Sequence, residues 1–191
     1  DPNRIGYEWA AHSIYPKRAD KQFFRTTVGN SKCLQPYSAS IYNISAMSYG
    51  ALSKTAISSL NKGAQKGGFA HNTGEGGISD FHLEGGDLIW QIGTGYFGCR
   101  KDDGTFSEEL FTEKANLPQV KMIELKLSQG AKPGHGGLLP GEKNTPEIAK
   151  IRNIQPHIAV HSPAGHTAFS NSTELLFFLK KLRHLSKGKP V

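Results

Sequence analysis

The chain has 191 residues, and its 23 basic and 16 acidic side chains give a formal net charge of +7. Its apolar and charged fractions, 37% and 20%, are typical of a globular domain and exclude a disordered chain. The charge favours anionic partners, but the basic residues are scattered without interleaved aromatics, so we predict no nucleic-acid partner.

The first 38 residues show no sustained hydrophobic period and contain scattered prolines and aromatics. We predict an irregular N-terminal arm over residues 1–38 and a folded domain over 39–191. Within that domain the first predicted elements are a strand over 40–47 and a helix that begins after Ser53 and ends at Gly67-Gly68. A short strand within 68–74, a helical turn over 87–92 and a short strand over 93–99 are expected to follow.

The second half of the chain continues the alternation. We predict a helix over 107–115, a strand over 120–127, a helix that begins at Thr145-Pro146, and a strand over 157–161. Asn171, with Glu174 three residues later, opens the last predicted helix, which carries an apolar stripe. Strands that alternate with helices indicate parallel βα units.

The strand over 120–127 helps to choose between an open sheet and a barrel. Glu124 and Lys126 share one of its faces, and both would be unfavourable in a sheet covered by helices on both sides. They are tolerated when they point into a barrel near a ligand. The predicted fold is therefore α/β, a partial TIM (β/α)8 barrel with an irregular N-terminal arm.

Cysteines and chain ends bear on the context of the protein. Cys33 and Cys99 lie in no C-x-x-C motif, which predicts free thiols in a reducing compartment and a cytoplasmic location. No apolar run is long enough to cross a bilayer. The chain starts at Asp1 and ends in G-K-P-V, and we interpret both ends as cuts through a longer protein.

Two sequence patterns match known motifs but lack the neighbouring residues that those motifs require. Residues 93–98 match G-x-G-x-x-G, but a polar turn follows where the dinucleotide fingerprint needs a helix, so we treat the match as coincidence. His157, His161 and His166 suggest a metal, but no acidic or cysteine ligand accompanies them. A contact between a bound ligand and the histidine of S-P-A-G-H is the preferred interpretation.

The best candidate site combines cations with glycine-rich loops. Lys126, Lys132 and Arg152 are expected at one strand end, where they would suit a dianionic substrate. Glu75 stands at the tip of N-T-G-E-G-G, whose glycines would let a ligand approach the backbone. The alternative is that Lys132 and Glu75 are solvated residues of surface turns.

Several long segments resemble the FMN-binding (β/α)8-barrel synthase domain of glutamate synthases and its stand-alone relatives. The matching segments occur in the same order and at similar spacing: I-S-A-M-S-Y-G-A-L-S, N-T-G-E-G-G, E-L-K-L-S-Q-G-A-K-P-G-H-G-G-L-L-P-G and I-A-K-I-R. The arm I-G-Y-E-W-A-A-H-S-I and the segment G-T-G-Y-F-G-C-R are similar to the stand-alone proteins in particular. The resemblance covers nearly the whole chain.

The resemblance implies FMN as cofactor and an enzyme that reduces the imine of 2-oxoglutarate and ammonia to glutamate. It implies that Ala46, Met47, Ser48 and Thr73 lie against the flavin, and that Glu75, Lys126 and Lys132 are catalytic. Lys126, Lys132, Arg152 and His135 would bind the dicarboxylate substrate. An electron-donor protein or an NAD(P)H-linked subunit is the implied partner, in addition to the small-molecule substrate.

The chain also departs from that pattern. Glutamate synthases read G-E-G-G-Q where this chain has His135 and Leu138, which leaves open a different oxo-acid or amine as substrate. A non-catalytic anion-binding fragment is the other alternative. A full barrel needs about 250 residues, so we expect the FMN phosphate site to be missing from this chain, the isolated fragment to be inactive, and an unpaired strand edge to favour self-association.

Overall fold

The computed structural model describes residues 3–16, 24–129 and 134–191. Seven strands occur in these ranges: β1 (Arg25–Val28), β2 (Tyr37–Ser40), β3 (Ala70–Asn72), β4 (Asp87–Ile92), β5 (Val120–Leu125), β6 (Leu138–Leu139) and β7 (Val160–His161). The α-helices of these ranges are α1 (Lys54–Gly67), α2 (Glu108–Ala115), α3 (Pro146–Arg152) and α4 (Ser172–Leu185).

A parallel sheet forms the centre of the fold. Its strand order is β3-β4-β5, with Asn72 opposite Ile89 and Gln91 opposite Glu124. Two flanking segments extend the ladder. The amide of Asn72 donates to the carbonyl of Ile44 on one side, and the amide of Ile123 donates to the carbonyl of Pro190 on the other. The described residues therefore form a mixed α/β structure in which neighbouring strands of the sheet follow one another along the chain.

Helices cover one face of this sheet. Leu88, Trp90 and Ile92 alternate along β4 and point to the same side, where they are almost fully buried. Trp90 stacks on Phe111 of α2, with ring centroids 5.3 Å apart, and Phe178 of α4 belongs to the same core. This packing removes the largest aromatic side chains from water and holds α2 and α4 on the sheet.

An antiparallel ribbon covers the start of the strands on the opposite face. β1 pairs with β2, and Tyr37 and Ala39 of β2 pack against Ala70 at the start of β3. The hydroxyl of Tyr37 donates to Asp87 Oδ2 over 2.8 Å at the start of β4. Burial and the Asp87 hydrogen bond raise the pKa of Tyr37 to about 12, so the phenol stays protonated.

The predicted helices are confirmed, and their capping residues explain where they begin. The side chains of Ser53, Ser107, Thr145 and Asn171 each accept a hydrogen bond from a backbone amide in the first turn of the following helix. Gly68 ends α1 in the left-handed conformation at φ 68°, as glycine at this position allows.

Three predicted elements differ in the structure. The expected helical turn over 87–92 is wrong, because these residues form the central strand β4. The expected strand over 93–99 is a turn that contains Tyr96 at φ 49°. The expected strand over 40–47 is interrupted, since β2 ends at Ser40 and only Ile44 makes an isolated bridge to β3. A short hydrophobic run fits either period, and only its distant pairing partners decide between them.

Two further predictions are confirmed in shortened form. β5 occupies 120–125 of the predicted 120–127, and β7 retains only Val160–His161 of the predicted 157–161. β7 pairs with β6 as an antiparallel ribbon outside the parallel sheet. The sheet of the described residues is open, and none of their helices is long and apolar enough to span a membrane.

A pair of buried histidines lies behind the first strands. His71 of β3 and His82 have ring centroids 5.2 Å apart, and both side chains are fully shielded from solvent. Asn61 of α1 lies within hydrogen-bonding distance of His71 Nδ1, while His71 Nε2 has no partner. Burial, together with the neighbouring His82, lowers the pKa of His71 to about 4.

Acidification should destabilise the fold through His71. The pKa of His71 falls from its ordinary value of 6.5 to about 4 on folding, so the unfolded chain binds the proton more readily. The stabilisation is complete above pH 6.5 and is lost as the pH falls towards 4. We expect urea unfolding to show this loss, and a His71→Gln variant to show a weaker pH dependence across the same window. An equally steep loss in the variant would assign the acid sensitivity to other groups.

Candidate functional site

The carboxyl ends of the three parallel strands meet at one edge of the sheet. The amide of Thr73 donates to the carbonyl of Ile89, and the amide of Lys126 donates to the carbonyl of Ile92. These bonds continue the ladder one residue beyond β3 and β5, so the loops that follow leave the sheet side by side. In parallel α/β structures this edge is where ligands bind.

Glu75, Lys126 and Gln129 form a cluster at this edge. Lys126 Nζ lies 3.4 Å from Glu75 Oε2, and Gln129 Nε2 donates to Glu75 Oε1 over 3.0 Å. The two donors engage different oxygens of one carboxylate and therefore set its orientation. About 30% of each charged side chain remains exposed, which leaves the pair accessible to a small molecule.

Arg152 is the second cation near Glu75. It ends α3 with only 9% of its surface exposed, and its guanidinium lies over the ring of Phe97 at 5.0 Å. Its Nη2 donates to the carbonyl of Tyr49 over 3.3 Å, while Nε has no partner. Burial lowers the pKa of Arg152, and the negative charge of Glu75 opposes that shift. Among the described residues, no carboxylate lies within 4 Å of this guanidinium.

The loop of Ala46, Met47 and Ser48 lies beside the start of the N-T-G-E-G-G loop. The amide of Met47 donates to the carbonyl of Asn72, and a Cβ at Gly74 would lie 2.9 Å from the amide nitrogen of Ser48. The two backbones are therefore too close for a side chain at residue 74. Ala46 is exposed, which leaves part of this loop open at the carboxyl edge.

Thr73 is buried and makes two hydrogen bonds. Its hydroxyl donates to the carbonyl of Gly74 and accepts a hydrogen bond from the amide of Gln91. The side chain therefore joins the ends of β3 and β4. Its contact with a flavin stays a prediction.

A polar layer lies just below the charged cluster. Asn72 Nδ2 and Gln91 Nε2 both donate to Glu124 Oε2, the first over 2.8 Å. The three residues come from β3, β4 and β5, so their contacts cross the whole sheet. The predicted polar face of β5 is thus explained by amide donors from the two neighbouring strands.

The glycine-rich stretch after β5 is described in part. Lys132 lies outside the described residues. His135 is exposed and lines the same small cleft as Glu75 and Lys126. Leu138, where the resemblance led us to expect a glutamine, is 53% exposed and pairs with His161 across the β6–β7 ribbon.

The three candidate metal ligands do not converge. The described residues contain no group of three or more histidine, cysteine or acidic side chains placed to hold a metal ion. His157 and His161 are exposed, whereas His166 is buried and its Nε2 lies 2.8 Å from the carbonyl oxygen of Lys126. Burial lowers the pKa of His166, which favours the neutral ring. The contact of this histidine with a bound ligand stays a prediction.

Gln129 and Ser162, which were absent from the predicted site, both lie beside Gly137. Gln129 orients Glu75 as described, and Ser162 follows β7. A Cβ at Gly137 would lie 3.2 Å from Gln129 Nε2, 3.8 Å from Ser162 Oγ and 3.9 Å from Glu75 Oε1. Polar atoms from three separate loops therefore face one point. Gln129 lay within the stretch S-Q-G-A-K-P-G-H-G-G, whereas Ser162 had no sequence signal other than its place after a predicted strand.

Comparison with known proteins gives one family. The model of the family described as "Conserved region in glutamate synthase" matches residues 20–191. The glutamate synthase large subunit-like protein YerD of Bacillus subtilis is 47% identical over 167 residues, which cover 86% of this chain and 31% of the relative. The archaeal glutamate synthase [NADPH] of Methanocaldococcus jannaschii is 32% identical over 190 residues, 98% of this chain and 34% of the relative.

A more distant relative agrees with these two. The glutamate synthase large subunit-like protein of Rhizobium meliloti is 29% identical over 187 residues, which cover 95% of this chain and 39% of the relative. The chain thus spans about a third of the length of the curated relatives that it matches.

Gly93 should be essential for the position of Glu75. A Cβ at residue 93 would lie 2.5 Å from Glu75 Oε2 and 2.9 Å from Glu75 Cβ. We expect Gly93→Ala to displace the carboxylate and to lower the free energy of unfolding by about 1–3 kcal/mol. The measurement is urea unfolding followed by circular dichroism.

Gly63→Ala is the matched control, because a Cβ at that position in α1 meets no atom within 4 Å. It should raise stability by about 0.5–1 kcal/mol, as alanine does in a helix. If both variants were equally stable, close packing between Gly93 and Glu75 would not matter.

Proposed function

Because this chain belongs to the glutamate synthase family, we propose that it carries the oxo-acid-binding part of an FMN-dependent oxidoreductase site. In this proposal the substrate is the imine of 2-oxoglutarate and ammonia, and the product is glutamate. FMN, when bound, would supply the hydride for this reduction. The residues of this chain bind and orient the dicarboxylate and handle its protons.

The observation that carries the proposal is the pair of cations around Glu75. Lys126 and Glu75 neutralise each other at 3.4 Å, whereas buried Arg152 has no carboxylate within 4 Å among the described residues. A buried guanidinium is unfavourable unless an anion accompanies it. A substrate carboxylate would provide that anion, and its two oxygens match the fork of an arginine.

The role proposed for Glu75 is proton transfer. A proton donor or acceptor must be held within hydrogen-bonding reach of the reacting atom. Lys126 and Gln129 hold one oxygen each, so they fix the carboxylate plane against the cleft that His135 also lines. We propose that Lys126 and Lys132 add positive charge beside the substrate carboxylates and that His135 contacts the substrate.

The Ala46–Ser48 loop suits a planar ring. Ala46 is exposed, and the backbone of the loop is held against β3 by the bond from Met47 to Asn72. The exposed methyl side chain of Ala46 leaves part of this loop accessible at the carboxyl edge. We propose that Ala46, Met47, Ser48 and Thr73 lie against the isoalloxazine ring and that other parts of a complete barrel hold the phosphate.

A partial (β/α)8 barrel is the proposed fold. From the segment at Ile44 through β3, β4 and β5 to Pro190, spatial neighbours follow chain order in one direction. This is the strand order of a TIM barrel. The name of the Methanocaldococcus jannaschii relative includes NADPH, and we propose an NADPH-linked partner as the source of electrons.

Leu138 supports a second candidate, an FMN barrel oxidoreductase with a different oxo-acid or amine. Its side chain is 53% exposed and offers no hydrogen bond where glutamate synthases have glutamine. A site that lacks one polar contact discriminates less strongly against a substrate without the corresponding group. Both candidates use Lys126 and Arg152 to bind one carboxylate of the substrate. They differ in what the rest of the substrate carries.

Reoxidation of the reduced flavin distinguishes the candidates. The flavin-containing protein is reduced under anaerobic conditions, and its absorbance near 450 nm is followed by stopped flow. We expect reoxidation with 2-oxoglutarate plus ammonium, and at least tenfold slower reoxidation with 2-oxobutyrate plus ammonium, which lacks the second carboxylate. Equal rates would favour the second candidate, and no reoxidation with 2-oxoglutarate plus ammonium would refute the first.

Arg152→Ala should lower kcat/KM for 2-oxoglutarate about 100-fold, because truncation of a buried charge partner has effects of about 3 kcal/mol. Lys150→Ala is the control, since Lys150 lies two residues earlier on α3 and is exposed. It should stay within twofold of the parent protein. Similar losses in both variants would show only a general effect of positive charge.

A further inference from the structure

His166 contacts the backbone of Lys126 from a loop that the proposed function leaves unused. It follows β7 in S-P-A-G-H, and only 7% of its surface is exposed. Its Nε2 lies 2.8 Å from the carbonyl oxygen of Lys126. Since a carbonyl can only accept, the ring carries its proton on Nε2 and donates it.

This hydrogen bond completes the support of one residue. The amide of Lys126 donates to the carbonyl of Ile92 in β4, and the carbonyl of Lys126 accepts from His166. Both backbone groups are thus held just after β5 ends at Leu125. With its backbone fixed on both sides, the side chain starts in a set direction, and its Nζ reaches Glu75 at 3.4 Å.

Aromatic rings hold the imidazole in place. The ring of Phe169 stacks on it at 5.0 Å with an interplanar angle of 23°, and the ring of Tyr96 packs at 5.2 Å. The hydroxyl of Tyr96 accepts a hydrogen bond from the amide of Ala168, which ties the same loop to the turn after β4. The imidazole is therefore a fixed donor rather than a mobile side chain.

The second ring nitrogen separates this arrangement from a purely structural one. Nδ1 of His166 is buried and has no hydrogen-bond partner, so the ring is not part of a fully satisfied core network. A buried unpaired acceptor is unfavourable, and the bond to Lys126 together with the packing of Phe169 and Tyr96 offsets it. The one polar contact of the buried ring is directed at the lysine of the candidate site.

We propose that His166 is a positioning residue that fixes the backbone of Lys126 and thereby sets its ion pair with Glu75. The proposal rests on the proposed function of that pair. It assigns the loop after β7 to the support of the substrate site, although its histidine does not touch the substrate. The hydrogen bond, and not the bulk of the ring, is the part that acts on Lys126.

Two variants separate the bond from the bulk. His166→Phe keeps an aromatic ring between Phe169 and Tyr96 but removes the donor. His166→Gln keeps an N–H donor at the end of a side chain of similar reach. If the phenylalanine variant does not fold, His166→Met, which also lacks a donor, takes its place with the same expectation.

The first measurement uses neither flavin nor substrate. The rate at which acetic anhydride acetylates Lys126 in the purified chain is measured by mass spectrometry. We expect this rate to rise about fivefold in His166→Phe, which corresponds to the loss of one net hydrogen bond of about 1 kcal/mol. In His166→Gln the rate should stay within twofold of the parent. Lys114, whose Nζ donates to the carbonyl of Gly98, is the internal control and should keep its rate.

The second measurement uses the flavin-containing protein. His166→Phe should raise KM for 2-oxoglutarate about fivefold with a smaller change in kcat, and His166→Gln should restore it. An unchanged acetylation rate of Lys126 in His166→Phe overturns the inference, as does an equal rise at Lys114, which would indicate general loosening. If the parent protein does not use 2-oxoglutarate, the proposed function fails while the acetylation result still decides the role of His166.

Discussion

Backbone hydrogen bonds pair β3, β4 and β5 as a parallel sheet. The arrangement of the candidate site depends on this common strand direction. Residues far apart in the chain, such as Glu75 and Lys126, come together because they follow the carboxyl ends of β3 and β5, which flank β4 in the same parallel sheet. An antiparallel β4 would instead have placed Gly93 and the rest of the turn after β4 at the opposite edge, away from Glu75. The same ladder aligns Asn72, Gln91 and Glu124, so the polar layer and the charged cluster above it share one origin.

Local signals in the sequence predicted the helices well. Each of the four helices begins after a capping residue whose side chain bonds to the amide three residues later, so no distant partner is needed. The four capping residues are Ser53, Ser107, Thr145 and Asn171. The parallel sheet was harder. Residues 87–92 could have formed a helical turn, and only their pairing with strands on both sides makes them the centre of the sheet.

The charged residues of the candidate site could be predicted from the sequence, but the residues that hold them in position could not. Glu75, Lys126 and Arg152 stand in glycine-rich or charged segments and were identified from residue type and spacing. Gln129, Ser162 and the backbone contact of His166 depend on the relative placement of loops that no local pattern encodes. Close approach of backbones at Gly74 and of a side chain at Gly93 likewise follows from the folded geometry, although the glycines themselves were visible.

The ribbon of β1 and β2 determines which part of one sheet face is covered. Tyr37 and Ala39 cover the face opposite the helices where the strands begin, and the hydrogen bond from Tyr37 to Asp87 holds the ribbon against β4. The pKa of Tyr37, raised to about 12, keeps the phenol protonated at neutral pH, so it still donates to Asp87. The ribbon therefore closes this face of the sheet where the strands begin, whereas Glu124 and Glu75 lie towards the carboxyl edge, at the other end of the strands.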